Sequence, residues 1–354
     1  MNIMGLGNAA TGPTGVLGLL VSNSDHVQTQ LTTLTEQSST GLVSQTFGGL
    51  GSGAAVALNL GPQVAEVSAY TQNINAANTN LTLTSQALGQ LESIASTFYS
   101  STIGLSSDTS QEVDTLASQA QAALSQVQNV LNTQNGPNYL FAGQDTGNAP
   151  APAATFTAYV ASIQTAVGGL GTSTAAATEA ATLAAATTGS PFSTTLGTTP
   201  QTVPVGFGKT AAIGVVAGQN AYAPSTTLGS TGSYVKDLIR SLATVAGLNS
   251  GQVALGTSFN TLVTDTHNDF GNEITAINDE TGGVGTAQQA LTADQTSLTD
   301  TQQALTTQIS GIENVDAAST ATALTQAQNQ LQISYKMISS MEGLSLLQFL
   351  PTSP

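Results

Sequence analysis

The chain has 354 residues, enough for two or three domains, and 40% of them are hydrophobic. Only 7% are charged, against roughly a quarter in an average globular protein. Twenty acidic residues against four basic ones give a net charge of −16, which makes nucleic acid and anionic membrane surfaces unfavourable partners. No apolar run reaches the roughly 18 residues of a membrane span, so no membrane insertion is expected. The absence of cysteine excludes disulfides and thiolate–metal sites.

The first residues, Met1 to Gly7, contain no basic segment and no sustained apolar core. A Sec-type signal peptide is therefore not predicted. We expect either a cytoplasmic protein or one exported by a route that needs no cleaved signal.

Both ends of the chain carry an apolar stripe with helical spacing. In each stripe the first steps are seven, four and three residues, as expected for one face of a helix. The stripe residues are Leu20, Val27, Leu31 and Leu34 near the start, and Leu324, Leu331, Tyr335, Ile338, Leu344 and Leu347 near the end. Neither helix has a neighbour in sequence to pack against, so each can bury its stripe only against the other terminal helix or against another subunit. We therefore expect these residues to form an assembly interface, with the ends disordered in the monomer and helical after assembly.

The N-terminal half reads as helices separated by short breaks. A first helix runs from Val16 to about Gln37, and a glycine-rich connection, Phe47–Gly53, follows it. That connection has neither the third glycine of a dinucleotide fingerprint nor the lysine of a phosphate-binding loop. A second helix is predicted for residues 62–103, and a third starts at an Asp108–Gln111 capping box and ends at Leu131.

The middle of the chain changes character. Residues 146–231 are rich in Ala, Thr, Gly and Pro and show no clear helical stripe, so an inserted domain of mixed or β-rich structure is predicted. Val203, Val205 and Phe207 alternate as in a strand, and Pro204 favours an edge position. Residues 175–186 fit either a short helix or a low-complexity loop.

Helical periodicity returns at Tyr234. Gly282-Gly283 predicts a break, after which leucine or isoleucine recurs every seven residues from Leu291 to Ile312. The fold class is therefore mainly α: an elongated helical bundle or coiled coil made by the N- and C-terminal segments, with a β-containing inserted middle domain. The segments are an N-terminal assembly helix (1–40), two halves of a helical core (41–145 and 232–312), the outer insert (146–231) and a C-terminal assembly helix (313–354).

Residues able to carry chemistry are sparse. His26 and His267 lie far apart in sequence, each on a predicted helix, which is typical of surface or packing histidines. The segment from Asp265 has a superficial likeness to a calcium loop, but Phe270 and Ala276 replace the glycine and glutamate that such a loop requires. We therefore predict no catalytic residue, no cofactor, no metal site and no enzymatic activity.

Four short elements together resemble those of one family. Gln37–Gly41 matches a Q-x-S-T/S-G element after the first helix, and Ala54–Leu60 matches the small-residue run that opens the second. Leu331–Leu350 is similar to an L-Q-x-S-Y … S-L-L-x-x-L ending. A further element follows the third helix, with the residues Tyr139, Leu140, Phe141, Ala142 and Gly143. On these motifs the chain resembles the bacterial flagellins, and among them most of all the hook-associated type found at the hook–filament junction. The stretch after the first helix departs from the family, since Thr46–Gly53 consists mainly of Phe and Gly where the family is usually rich in Asp, Ser and Pro.

The resemblance implies a secreted structural subunit of the extracellular flagellum, exported by the flagellar type III apparatus. Its implied partners are copies of itself in a ring or tubular homo-oligomer, the hook-end hook-associated protein, flagellin, and a flagellar export chaperone. Two alternatives stay open at the level of sequence. One is the filament flagellin itself, and the other is a secreted adhesin or binding module with a ligand site in the insert.

Overall fold

Helices make up most of the fold. The computed structural model describes residues 13–105, 110–220 and 229–347, and within these ranges the chain forms eight α-helices and two small antiparallel hairpins. The helices are α1 (Pro13–Thr40), α2 (Gly53–Thr102), α3 (Ser110–Leu131), α4 (Ala153–Gly168), α5 (Ala175–Thr188), α6 (Tyr234–Gly247), α7 (Thr257–Glu313) and α8 (Ala317–Leu347). The strands are β1 (Gln134–Asn135), β2 (Asn138–Tyr139), β3 (Thr202–Gly206) and β4 (Lys209–Ala212). The prediction of a mainly α fold with a β-containing middle is confirmed.

Several element boundaries differ from the prediction. Helix α2 begins at Gly53 and passes through Pro62, and α7 continues through Gly282-Gly283 without a break. A glycine costs a helix only about 1 kcal/mol. Buried Ile277 and Val284 on either side of the glycine pair supply packing that outweighs this cost. The predicted capping residue Asp108 lies outside the described residues.

The middle segment is more helical than predicted. Helix α4 buries an apolar face that the surrounding Ala, Thr and Gly concealed in the sequence, consisting of Phe156, Tyr159, Val160, Ile163 and Val167. The stretch at 175–186 forms α5, the helical one of the two alternatives. Between residues 146 and 220, strand structure is confined to the β3–β4 hairpin, in which Pro204 does occupy an edge.

The chain divides into two compact units. Unit 1 comprises Met1–Glu66 and Asp300–Pro354, and unit 2 comprises Val67–Thr299. Each unit is described below by itself.

In unit 1 the two ends of the chain pair with each other. The connection after α1 is hydrogen-bonded to the connection before α8: Val43 donates its backbone N–H to Glu313, and Val315 donates to Gly41. Because the C-terminal end of α1 therefore lies beside the N-terminal end of α8, the two helices pack antiparallel. Gly41 ends α1 at a φ of 74°, a conformation that favours glycine. The ends therefore meet as helices within one chain, which is one of the two arrangements expected for the matching stripes; the disorder of the ends before assembly stays a prediction.

In unit 2 the helices surround α6. This helix packs against α3, α4 and α5, and 11 of its 14 residues are buried. At its end, Gly247 lies so close to Val167 of α4 that an added Cβ would be 3.0 Å from the valine Cβ. The β3–β4 hairpin is attached to α2 and α7 through an amide of Asn73, which donates to Pro204, and through the Lys209–Asp294 ion pair at 2.6 Å.

Threonine hydroxyls along the helices bond to their own backbone. On α1, five threonines donate from Oγ1 to the carbonyl four residues earlier, namely Thr29, Thr32, Thr33, Thr35 and Thr40. The same pattern recurs on α7 and α8. The hydroxyl donors of these exposed side chains are therefore satisfied without a partner from another helix.

The pairing of α1 with α8 predicts unequal effects for two valines of α1. Val27 is 7% exposed and Val21 is 44% exposed. We expect Val27→Ala to destabilise the helix pair by about 1–2 kcal/mol, because it removes two buried methyl groups. In dilute monomeric protein, amide hydrogen exchange of α1 should then become roughly tenfold faster.

Val21→Ala is the matched control, since it makes the same chemical change on the same helix at an exposed position. Its exchange rates should stay close to those of the wild type. Equal acceleration in both variants would contradict the pairing of α1 and α8 in the monomer.

Candidate assembly surface and buried charge cluster

The predicted interface residues lie mainly on the faces that α1 and α8 present to each other. Val27 is buried, and Leu20, Leu31, Leu34, Leu324, Leu331 and Ile338 are half-buried. The prediction that they must be covered is thus met inside one chain, and their role between subunits stays a prediction. Leu344 and Leu347 lie on the last turns of α8, beyond the side chains that the structure describes.

Tyr335 departs from the predicted stripe. It is 52% exposed, whereas its neighbour Ser334 is half-buried. The buried face of α8 instead continues through the small residues Ala327 and Thr320, and that of α1 through Ser24, which donates to the Leu20 carbonyl. Sequence reasoning missed these three residues because it followed large aliphatic side chains. Their spacing of three or four residues from the leucines was the available signal.

Outside the paired faces, unit 1 exposes much apolar surface. Of the 11 large hydrophobic residues exposed in the described chain, most belong to this unit: Leu19, Val21, Phe47, Val56, Leu58, Ile333, Tyr335 and Met337. Ile333 and Met337 are one helical turn apart and so share a face of α8. Clustered exposed apolar residues of this kind mark surfaces that associate with other proteins.

Charges are rare on the same helices. Asp25 and Glu36 are the only charged residues of the sequence up to residue 65, and Lys336 and Glu342 are the only ones after residue 316. A surface with so few charges gains little from ion pairing. Its association with another surface must depend on apolar burial and shape.

The Tyr139–Gly143 motif is a structural junction of unit 2. Leu140, Phe141 and Ala142 are buried, and Phe141 and Ala142 form backbone bonds to distant segments. Ala217 donates to the Phe141 carbonyl at 3.1 Å, and Gly197 donates to that of Ala142 at 3.3 Å. Gly143 has a φ of 62° and is buried against the backbone. The motif thus ties together three segments of chain, and its role in unit 2 is packing.

Unit 2 also contains a buried cluster of charged residues between α6 and α7. Arg240 on α6 donates from a terminal nitrogen to Asp269 on α7 at 2.7 Å, and the two side chains are 4% and 15% exposed. The next residue of α6, Ser241, donates from its hydroxyl to Glu273, which lies one turn beyond Asp269 on α7. Asp237 accepts from the hydroxyl of Ser230 and from the backbone N–H of Thr231.

Burial changes the proton affinity of these acids. It raises the pKa of Asp269 from 3.8 to about 6, even though Arg240 beside it acts to lower that pKa. Nearby carboxylates, with Glu179 first, raise the pKa further. Burial also raises the pKa of Glu273 well above its ordinary value, and the hydrogen bond from Ser241 only partly offsets this.

One histidine packs against an aromatic ring and the other lies on the surface. His267 stacks on Tyr99 with ring centroids 4.1 Å apart, and its Nδ1 lies 2.9 Å from the Tyr99 carbonyl. His26 is exposed on α1. The segment from Asp265 to Ala276 is continuous helix within α7 and not a calcium loop. Among the described residues, no group of three or more His, Asp or Glu side chains is arranged to hold a metal ion.

Within residues 13–105, 110–220 and 229–347, no helix combines the length and apolar character of a membrane span.

Comparison with known proteins identifies the family. Residues 20–146 match the bacterial flagellin N-terminal helical region, and residues 269–350 match the bacterial flagellin C-terminal helical region. Together these matches span more than half of the chain, so it belongs to the bacterial flagellin family, whose members are structural proteins that assemble into flagellar polymers. No curated protein is similar to the chain at a significant level.

The fold also has a counterpart among solved structures. It is similar to a structure described as that of a flagellar hook-associated protein from Vibrio parahaemolyticus, with a TM-score of 0.53. The similarity covers 73% of this chain and 96% of that chain, at 11% sequence identity. At this identity it concerns the fold alone.

The pKa of Asp269 predicts how stability depends on pH. The group binds its proton more tightly in the folded chain (about 6) than at its ordinary value of 3.8, so the folded state holds more protons between these values. The contribution of protonated Asp269 to the free energy of unfolding is fully present below about pH 4 and is lost as the pH rises through 6. Urea denaturation followed by circular dichroism should therefore show Asp269→Asn losing part of the wild-type slope in this window.

Asp279→Asn serves as the control, because Asp279 lies exposed on the same helix. It should keep the wild-type slope. A slope unchanged in Asp269→Asn would refute the assignment.

Two glycines with nearly equal backbone angles test the role of the motif. Gly143 (φ 62°) would place an added Cβ 2.7 Å from the carbonyl oxygen of Thr199, whereas Gly136 (φ 61°) has open space there. Gly136→Ala should cost about 1–2 kcal/mol for the left-handed backbone alone. Gly143→Ala should cost at least about 1 kcal/mol more, because the backbone of Thr199 must also move. Equal losses in urea denaturation would show that the contact carries no strain.

Proposed function

We propose that this flagellin-family chain is the structural subunit that joins the flagellar hook to the filament. It would act by self-association of unit 1 into a ring or tube that contacts the hook-end hook-associated protein on one side and flagellin on the other. The observation that carries the proposal is the concentration of exposed apolar residues on unit 1, whose terminal helices α1 and α8 carry two charged residues each. Those residues gain cover only when another protein packs on them.

The location at the junction is supported by two further observations. The Tyr139–Gly143 motif resembles that of the hook-associated type, and in this chain it is a buried junction of backbone segments. The solved structure with a similar fold bears the description of a hook-associated protein. Export without a cleaved signal, with a chaperone before export, belongs to the same proposal.

The filament flagellin itself is the second candidate. It is favoured by the match of both terminal regions to the flagellin descriptions. The two candidates differ in what the protein builds, since a filament subunit grows long polymers and a junction subunit forms a short segment of limited length.

Electron microscopy of cells that lack the protein separates the candidates. For a junction subunit we expect hooks without attached filaments, together with free filament protein in the medium. Continued filament attachment without this chain would sink the proposal. Loss of the filament polymer itself, with hook-associated proteins still at the hook end, would indicate the filament flagellin.

The same cells test the surface when they are complemented with variants. Ile333→Gln, at a position 61% exposed on α8, should prevent filament attachment or require at least tenfold more subunit. This follows because covering an isoleucine is worth about 1.5–3 kcal/mol, and about 1.4 kcal/mol corresponds to a factor of ten.

Ile103→Gln is the matched control, since Ile103 is 65% exposed but belongs to unit 2. It should complement like the wild type. Circular dichroism of both purified monomers should be unchanged, so that a loss of attachment reports on assembly and not on folding.

A further inference from the structure

A small cavity lies beside the buried charges of unit 2. Its volume is about 20 Å³, and Tyr234, Arg240, Asp269 and Glu273 are among the residues that line it. A cavity of this size accommodates one water molecule when two or more polar atoms face it.

The three carboxylates of the cluster differ in how their charge is compensated. Asp269 accepts from the guanidinium of Arg240. Asp237 accepts two hydrogen bonds, one on each oxygen. Glu273 is 3% exposed and receives only a neutral hydroxyl bond from Ser241 on Oε1, and its Oε2 has no partner. Because an ionised carboxylate is costly to bury without compensation, Glu273 is the member that must hold a proton.

Two more polar atoms of the lining have no partner. They are the hydroxyl of Tyr234 and Nε of Arg240, and both side chains are nearly fully buried. The positive charge of Arg240 makes binding of a cation in the cavity unfavourable, and the surrounding carboxylates make binding of an anion unfavourable. A water molecule fits both sets of atoms, because it can accept from one group and donate to another.

The remaining surroundings leave negative charge in excess. Lys236 on α6 donates instead to the carbonyl of Gly189 at 2.9 Å, away from Glu273. The other ionisable groups around the cluster are Glu179 on α5, Tyr159 on α4, and Asp265 and Glu280 on α7. Arg240 is thus the one cation that acts on Glu273 among the described residues, and it is engaged by Asp269.

We propose that Glu273 binds a proton and thereby makes the contact between α6 and α7 sensitive to pH. In its neutral form Glu273 accepts from Ser241 and donates through Oε2 to a water molecule in the cavity. As the pH rises, the proton leaves to solvent, the buried carboxylate becomes charged, and the attachment of α6 weakens. Since α6 packs against α3, α4 and α5, the whole of unit 2 loses stability with it.

This pH dependence is tested on the full-length chain by urea denaturation at about pH 6.5 and about pH 9. Both values lie above the pKa of Asp269, which is about 6. In the wild type, the unfolding constant should rise at least tenfold over this range, as expected for a buried acid with a raised pKa. Glu273→Gln, which imitates the neutral acid, should reduce the rise to less than threefold. Asp279→Asn and His267→Gln, which replace other ionisable residues of α7, should keep the wild-type rise.

A spectroscopic measurement tests the same point, and the neutral-acid signal that it detects should be absent from Glu273→Gln. In protein labelled with ¹³C at the glutamate carboxyl carbon, one resonance should have the chemical shift of a neutral acid at about pH 6.5 and move to that of a carboxylate at higher pH. If every glutamate is ionised at about pH 6.5, or if Glu273→Gln retains the wild-type rise, the proposal is overturned.

Discussion

The antiparallel contact between two helix connections fixes the arrangement of unit 1. Two backbone hydrogen bonds, from Val43 to Glu313 and from Val315 to Gly41, hold the end of α1 beside the beginning of α8. The side chain of Gln37 adds a third bond to the Val43 carbonyl. With this point fixed, the two terminal helices must run back along each other, and their apolar stripes meet although some 300 residues separate them in sequence. The Gln37–Gly41 element therefore has a structural role: Gly41 adopts the backbone conformation that ends α1, and Gln37 donates a hydrogen bond to the connection that follows.

The apolar residues of the terminal helices fall into two sets, those covered within the single chain and those exposed and available for association. Leucines spaced three and four residues apart are covered within unit 1, whereas Leu19, Ile333 and Met337 on the same helices remain exposed. In unit 2 most of the large hydrophobic residues are buried, and an ion pair between largely buried side chains joins α6 to α7. Exposed apolar surface is thus concentrated in unit 1, and the buried ion pair lies in unit 2.

The sequence predicted the helices of both halves and the edge strand at Pro204, because each is a local pattern of period 3.6 or 2. It also identified the leucines and Val27 that pack at the chain ends, but not the small buried residues Ser24, Thr320 and Ala327. It missed α4, whose five buried residues are diluted by alanine and threonine, and it overestimated the effect of Gly282-Gly283. In both cases packing against distant segments decided the outcome. The charge cluster could not be predicted either, since Arg240, Asp269 and Glu273 come together only when α6 packs on α7.

The threonines of α1 and α8 have a consequence for how closely such helices can approach a neighbour. A hydroxyl that already donates to the carbonyl four residues earlier does not lose an essential water contact when it is covered. Lysine or glutamate in the same positions would have to keep a hydrated head group at the rim. A helix whose surface is rich in threonine can therefore be surrounded by other helices at a small desolvation cost. No side of such a helix has to stay in contact with solvent.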